Sequence, residues 1–197
     1  MIRAFGKEEL LELSRKFSNA KPFQHVIVEN FLTSHKKVLS GLKKEKFIMK
    51  DSDLFSFRQT GNLHHASRKE VKTAVKMLSS PEFASILSKI TRMQLHAGAI
   101  DVFGALYRKT DYLLCHDDRL EGRKVAFVLY LSESFGKKDG GALTLLSSKA
   151  GHPGKKIIAY PPLENSLAIF KVSRKSWHEV EEVTSGRERY TISGWLH

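Results

Sequence analysis

The spacing of apolar positions changes character near residue 95. Before it, helical spacing dominates: from Lys7 to Phe17, Leu10, Leu11 and Leu13 recur among charged residues, which predicts a short amphipathic helix ended by Asn19 to Pro22. "PFQHVIVENFL" (22–32) alternates into a short strand, and "TSHKKVLSGLKK" (33–44) predicts a second helix with Thr33 or Ser34 as its N-cap. "FIMKDSDLFSFRQTGNL" (47–63) predicts an extended segment or hairpin. "SRKEVKTAVKMLSSPEFASILSKITRM" (67–93) predicts two helices broken at Ser79 to Pro81, where proline interrupts the pattern.

After residue 95, short alternating runs replace the helical period. Strands are predicted around 98–107, 112–116, 125–132, 142–147, 155–160, 166–172, 177–183 and 189–196. The separators 136–141, 151–154, 161–165 and 185–186 are rich in residues that tolerate tight turns. Such even spacing predicts an α+β protein: a double-stranded β-helix (jelly roll) core, with the N-terminal helices packed on the outside of one sheet. No repeat, low-complexity tract or linker divides the chain, so the expectation is one domain over 1–197, mixed and helical over 1–94 and jelly roll over 95–197.

Composition narrows the setting. No run approaches the roughly 18 consecutive apolar residues that a membrane helix needs, so no membrane association is expected. The single cysteine, Cys115, cannot form an internal disulfide, and the charged start "MIRAFGKEELLELSRKF" is unlike a secretory signal; both point to a reducing compartment, the cytoplasm or nucleus. The net charge of +12 favours a polyanionic neighbour, such as a ribonucleoprotein contacted through its rRNA, although solubility alone also accounts for it. Lys137, Lys138, Lys155, Lys156, Arg174 and Lys175 are the loop cations that would steer such an encounter. Oligomeric state leaves no mark in the pattern.

One apolar run is interrupted in a way that calls for chemistry. In "LLCHDDRLEGRKVAFVLYLSE", His116, Asp117 and Asp118 stand between apolar neighbours, and burying a carboxylate beside an imidazole is costly unless something pairs with both. On a strand, His116 and Asp118 lie on one side, about 6–7 Å apart at the backbone, while Cys115 and Asp117 face the other way. His178 in "KSWHEVEEV", 62 residues on, is the candidate third ligand. Two histidines and one carboxylate leave three octahedral positions open, the arrangement of non-haem iron(II) oxygenases, whereas zinc favours a tetrahedral set. A His-x-Asp pair alone is unspecific in a chain with nine histidines; His25, His35, His64, His65, His96, His152 and His197 read as surface or packing residues.

The open positions find a counterpart in the last strand. In "GRERYTISGWLH", Arg189, Thr191, Ser193 and Trp195 share one face, and Tyr190, Ile192 and Gly194 the other. A buried Arg189 calls for a carboxylate, from an internal salt bridge or from a small diacid reaching across from the metal; Arg187 is the competing arginine. Ser193, on the same face, is a further candidate contact to the bound molecule. Tyr130 and Tyr107 could each donate a hydroxyl to that carboxylate, or serve as core aromatics.

Together, "LLCHDDRLEGRKVAFVLYL", "GGALTLL", "SWHEVEEV" and "RYTISGW" resemble the iron(II)- and 2-oxoglutarate-dependent prolyl hydroxylases, in particular the ribosomal prolyl hydroxylases of eukaryotes, which modify a decoding-centre protein of the small ribosomal subunit. The resemblance covers residues 95–197 and, more loosely, "PFQHVIVENFL". It implies Fe(II) on His116, Asp118 and His178, and 2-oxoglutarate on Arg189 with help from Tyr130 and Tyr107. It further implies O2 as cosubstrate, ascorbate as reductant, and Trp195 beside a target proline of a ribosomal protein substrate.

Two features depart from the family. The sequence ends at His197, so the expectation is a compact relative or a fragment without the second, non-catalytic β-helix domain of the ribosomal enzymes. Arg119 is basic where those relatives carry an acidic or neutral residue. Two other functions compete on the residues alone: a 2-oxoglutarate-dependent nucleic-acid demethylase, with Phe55 and Phe57 on a lid, and a non-catalytic ribonucleoprotein-binding relative.

Overall fold

A computed structural model describes residues 1–197. Four helices and eleven strands follow one another as α1 (Lys7–Asn19), β1 (His25–Val28), α2 (His35–Leu42), β2 (Phe47–Ser52), β3 (Phe55–Asn62), α3 (Lys69–Leu78) and α4 (Pro81–Thr91), then β4 (Ile100–Tyr107), β5 (Tyr112–His116), β6 (Val125–Tyr130), β7 (Leu143–Lys149), β8 (His152–Tyr160), β9 (Ser166–Lys171), β10 (His178–Val180) and β11 (Arg189–Leu196). The break expected at Ser79 to Pro81 is built as anticipated: Pro81 opens α4, and Ser80 Oγ accepts from Phe83 N at 3.2 Å. At α2 the expected capping bond is missing. Ser34 holds the N-cap position without a side-chain bond, and the Thr33 hydroxyl donates instead to the Met1 carbonyl.

The strands form one curled, antiparallel sheet in the order β1-β9-β6-β11-β4-β3-β5-β10-β7-β8, with β2 paired to β3 at the side. All four helices sit against one surface of it. Phe17, Leu42, Val71, Phe83, Leu87 and Ile90 pack onto Val102, Leu106, Phe127, Leu129, Ile169 and Ile192 in a single apolar core. The opposite faces of the same strands turn inward, toward the hollow of the curl.

The N-terminal half does more than cover the sheet. β3 is inserted between β4 and β5, with Arg58 opposite Leu106 on one side and Phe55 opposite Leu113 on the other. Alternation explains its two-faced role: Phe55, Phe57 and Gln59 line the hollow, while Arg58 turns away to an ion pair with Asp111 at 2.9 Å. The expected lid is thus a wall.

β11, the last strand, lies in the middle, paired along its length to β4 and over Thr191–Leu196 to β6. Gly194 permits that closeness, since a Cβ there would stand 1.9 Å from the Asp101 carbonyl oxygen. The strand expected over 177–183 contracts to His178–Val180, and its pairing with β5 shifts register between those two residues. No helix is long and apolar enough to cross a membrane.

Candidate active site

The hollow holds a cavity of about 430 Å³ whose lining brings together seven of the eight residues singled out in the sequence; the eighth, Tyr130, is buried outside the lining with its ring against the Arg189 guanidinium. At one end stand His116, at the close of β5, and His178, at the start of β10, which are paired residues in the ladder. Asp118 lies beyond the strand end rather than on it. A left-handed turn (φ 61°) at Asp118 itself swings the carboxylate back to the two rings, where strand alternation had been expected to place it. Asp Oδ atoms lie 3.4 Å from each imidazole Nε2, and one ligand atom of each residue falls within 4.8 Å of the others.

The donors are arranged for a cation. His116 Nδ1 sits 2.9 Å from the Leu114 carbonyl and His178 Nδ1 2.7 Å from the Ser176 carbonyl, so each ring commits its N–H there and turns an Nε2 lone pair inward. Two lone pairs then face a carboxylate that is itself an acceptor, and a metal ion satisfies all three. Burial pushes the Asp118 pKa upward, but the His178 and His116 rings overcome it and hold the carboxyl far below the ordinary range. For His116 burial lowers the pKa, and the bond and charge of Asp118 outweigh it in the opposite direction.

Arg189 projects from β11 into the same cavity. It is 1% exposed, its Nε donates to the Gly141 carbonyl at 2.9 Å, and no carboxylate of the chain pairs with it. Its guanidinium carbon lies 4.9 Å and 5.1 Å from the ring centres of Tyr107 and Tyr130. The Tyr130 hydroxyl is buried without a hydrogen-bond partner. Burial raises the pKa of both phenols, against the pull of the Arg189 charge, so both remain donors. Arg187, the competing arginine, is solvent-exposed and pairs with Asp139.

Further along β11, Ser193 Oγ lies 3.2 Å from Thr191 Oγ1, both on the cavity face. Trp195 ends that row. Arg123 stacks over its indole at 3.4 Å, Phe103 tilts against it at 5.4 Å between ring centres, and its Nε1 is buried without a partner. Sequence reasoning missed the contribution of β2 and β3: Lys50, Phe57 and Gln59 also line the cavity, and Phe57 stacks on Tyr107 at 4.9 Å. The alternation Phe55-x-Phe57-x-Gln59 was the available signal.

Other expectations resolve simply. Asp117 faces away and pairs with Arg119, whose basic character is thereby matched. His25 bonds Tyr160 and the Phe23 carbonyl, His35 pairs with Glu164 and His197 with Asp101.

An antiparallel roll, an inward-facing His-Asp-His set and a buried unpaired arginine across one cavity define a metal-dependent oxygenase class. Residues 102–197 match the 2OG-Fe(II) oxygenase superfamily, and this part of the chain belongs to it. Its fold is that of a Pseudomonas putida prolyl-4-hydroxylase (TM-score 0.74, 19% identity, covering 95% of this chain and 98% of that one). It is equally that of a Trichoplax adhaerens prolyl hydroxylase solved with a hypoxia-inducible-factor peptide fragment (TM-score 0.73, 18% identity, 98% and 94%).

In sequence the chain is similar to prolyl 3-hydroxylase OGFOD1 of Xenopus laevis (39% identity over 182 residues, 89% of this chain and 35% of that protein). It is also similar to prolyl 3-hydroxylase sudestada1 of Drosophila melanogaster (31% over 205 residues, 98% and 37%). The chain spans about a third of the length of these relatives. Iron(II), 2-oxoglutarate and dioxygen are the cofactors of the family, and the donors described above fit the first two.

Proposed function

We propose that the chain is a 2-oxoglutarate-dependent dioxygenase that hydroxylates a prolyl residue of a protein, and that this protein belongs to the small ribosomal subunit. The observation that carries the chemistry is Arg189: a buried guanidinium without an internal carboxylate, facing the His-Asp-His set across one cavity. Leaving such a charge unpaired is costly, and a dicarboxylate supplies its partner. The names of the sequence relatives support the prolyl substrate, and the resemblance to ribosomal prolyl hydroxylases supports the ribosomal one.

In this reading His116, Asp118 and His178 hold Fe(II), and Arg189 fixes the far carboxylate of 2-oxoglutarate through a forked pair of N–H donors. Tyr130 and Tyr107 supply hydroxyl donors to the same group, and Ser193 lines its path. Trp195 lies beside the prolyl ring, held flat by Arg123, and offers the apolar contact that a pyrrolidine needs. With both bound, the metal and cosubstrate supply activation of dioxygen and oxidation of a C–H bond, yielding succinate and carbon dioxide, with ascorbate keeping the iron reduced. The protein's share is orientation and exclusion of water by Phe57, Phe103 and Phe170. Residues 1–197 act as one unit in this reading, working in the cytoplasm or nucleus.

The test is mass spectrometry of small-subunit ribosomal proteins incubated with the enzyme, iron, ascorbate and 2-oxoglutarate. The expected result is a gain of one oxygen on a proline, coupled to succinate and absent for His178→Ala. Succinate formation driven by methylated oligonucleotides, with release of formaldehyde and no prolyl product, would replace this reading with the demethylase.

A further inference from the structure

The excess positive charge is unevenly placed. Residues 1–94 carry 18 Lys and Arg against 9 Asp and Glu, which is +9 of the total +12, whereas residues 95–197 carry 15 against 12. The concentration falls on α2, α3 and the turns after and before them. α2 buries Val38, Leu39 and Leu42, and α3 buries Val71, Ala74, Val75 and Leu78. That leaves Lys44, Lys46, Arg68, Lys69, Lys72 and Lys76 exposed, and none of the six pairs with a carboxylate.

The two helices present these cations as one surface. Gly41 of α2 lies so close to α3 that a Cβ there would stand 3.0 Å from Glu70 Cβ and 3.3 Å from Val71. Two carboxylates stand among the six: Glu45 accepts from the Ser67 and Arg68 amides at 2.8 and 2.7 Å, and Glu70, exposed beside Lys69, forms no ion pair, so the group keeps an excess of four positive charges. Lys69, Lys72 and Lys76 follow a three-then-four spacing and so form a stripe about 10 Å long on one side of α3. Beside Lys72 and Lys76 opens a depression of about 800 Å³, bordered also by His64 and Ser80. This surface lies behind the sheet: the helices cover Val102 and Ile192, while Phe103 and Ser193 of the same strands face the cavity.

We infer that the α2–α3 face is a docking surface for the phosphate backbone of RNA. A row of unpaired cations on a rigid two-helix platform matches a regularly charged polyanion, and it gains affinity by releasing the counterions that the polyanion carries. A membrane is the poorer match, since none of the large exposed apolar side chains lies on α2 or α3 to insert among acyl chains. The choice of RNA over DNA rests on the ribosomal substrate of the proposed function. Of the cations expected on loops, Lys156 is occupied by Glu179 and Glu181, and the others are divided between β8 and separate loops rather than set along one rigid helix face. RNA held on the far side of the sheet leaves the cavity mouth open to a protein segment.

The experiment is fluorescence anisotropy of the full chain with a labelled single-stranded RNA, a DNA of the same sequence, and vesicles containing phosphatidylserine, over a series of salt concentrations. K69E/K72E/K76E is expected to weaken RNA binding about tenfold or more and to flatten the dependence of log affinity on log salt by about two. K137E/K138E/K175E, which changes net charge equally, should stay within about twofold of the parent in affinity. K69Q/K72Q/K76Q and thermal melting guard against misfolding: an unchanged melting curve with weakened binding supports the surface. Equal weakening by both reversed variants, preference for vesicles, or no RNA binding at low salt would overturn it; the DNA, carrying the same phosphates, should lose affinity in parallel with the RNA on K69E/K72E/K76E. None of these readouts involves turnover, so this inference and the dioxygenase reading fail separately.

Discussion

His116 and His178 occupy partner positions on β5 and β10, with ring centres 4.2 Å apart, and each is fixed by a bond to the carbonyl two residues before it. The backbone thus sets both rings before any metal arrives. Replacing His178 by Ala removes one of three donors, and calorimetric titration with Fe(II) or Mn(II) should show affinity falling by more than about a hundredfold. Parent-like affinity would remove His178 from the ligand set.

Arg189 is a buried charge without a carboxylate partner in the chain. Exchange for Met, of similar bulk and without charge, should leave the melting temperature of the ligand-free protein undiminished. The rise in melting temperature that 2-oxoglutarate induces in the parent should disappear. A variant that still responds to 2-oxoglutarate would place the cosubstrate elsewhere.

Gly141 supports that arginine through its carbonyl and adopts φ 65°, and a Cβ there would come within 3.0 Å of both Arg189 Cδ and Val183 Cγ2. Gly141→Ala should therefore cost about 1–2 kcal/mol of stability. It should also raise the 2-oxoglutarate concentration needed for half-maximal succinate formation, with the metal affinity intact.

His25 is lodged between Phe23 and Tyr160, and burial lowers its pKa in spite of the bond to the Phe23 carbonyl. Its folded pKa lies below the unfolded one, so the unfolded chain takes up the proton first. The stability contributed is complete above the unfolded pKa of about 6.5 and is lost as pH falls through and below it. The gap in melting temperature between the parent and His25→Phe should be wider at about pH 7.5 than at about pH 5.5. A gap independent of pH would show that His25 keeps its ordinary pKa.

Periodicity made most of the elements legible, because helix and strand differ in the spacing of apolar positions and each element here buries one face. The helix break at Pro81 and the strand face of Arg189 followed from local pattern, whereas His178 was a candidate only because a roll returns the chain after 62 residues. Asp118 was found for an incomplete reason: its side chain converges through a left-handed residue past the strand end, a backbone state that alternation does not encode. The place of β3 was hidden for a different cause. Pairing partners are chosen by long-range packing, and "FSFRQT" reads equally well as a lid hairpin and as a wall strand. The α2–α3 cations likewise looked like an ordinary solvated helix face until the two helices were set side by side.

The seat of β3 between β4 and β5 also means that the reacting centre is not a portable cassette. The last hundred residues hold the His-Asp-His set and the arginine, yet cut free of the first sixty they would form a roll with an open seam, flooded along the wall that Phe57 and Gln59 now close. Evolution, or an engineer, could shuffle this chemistry between proteins only by carrying the early hairpin along with it.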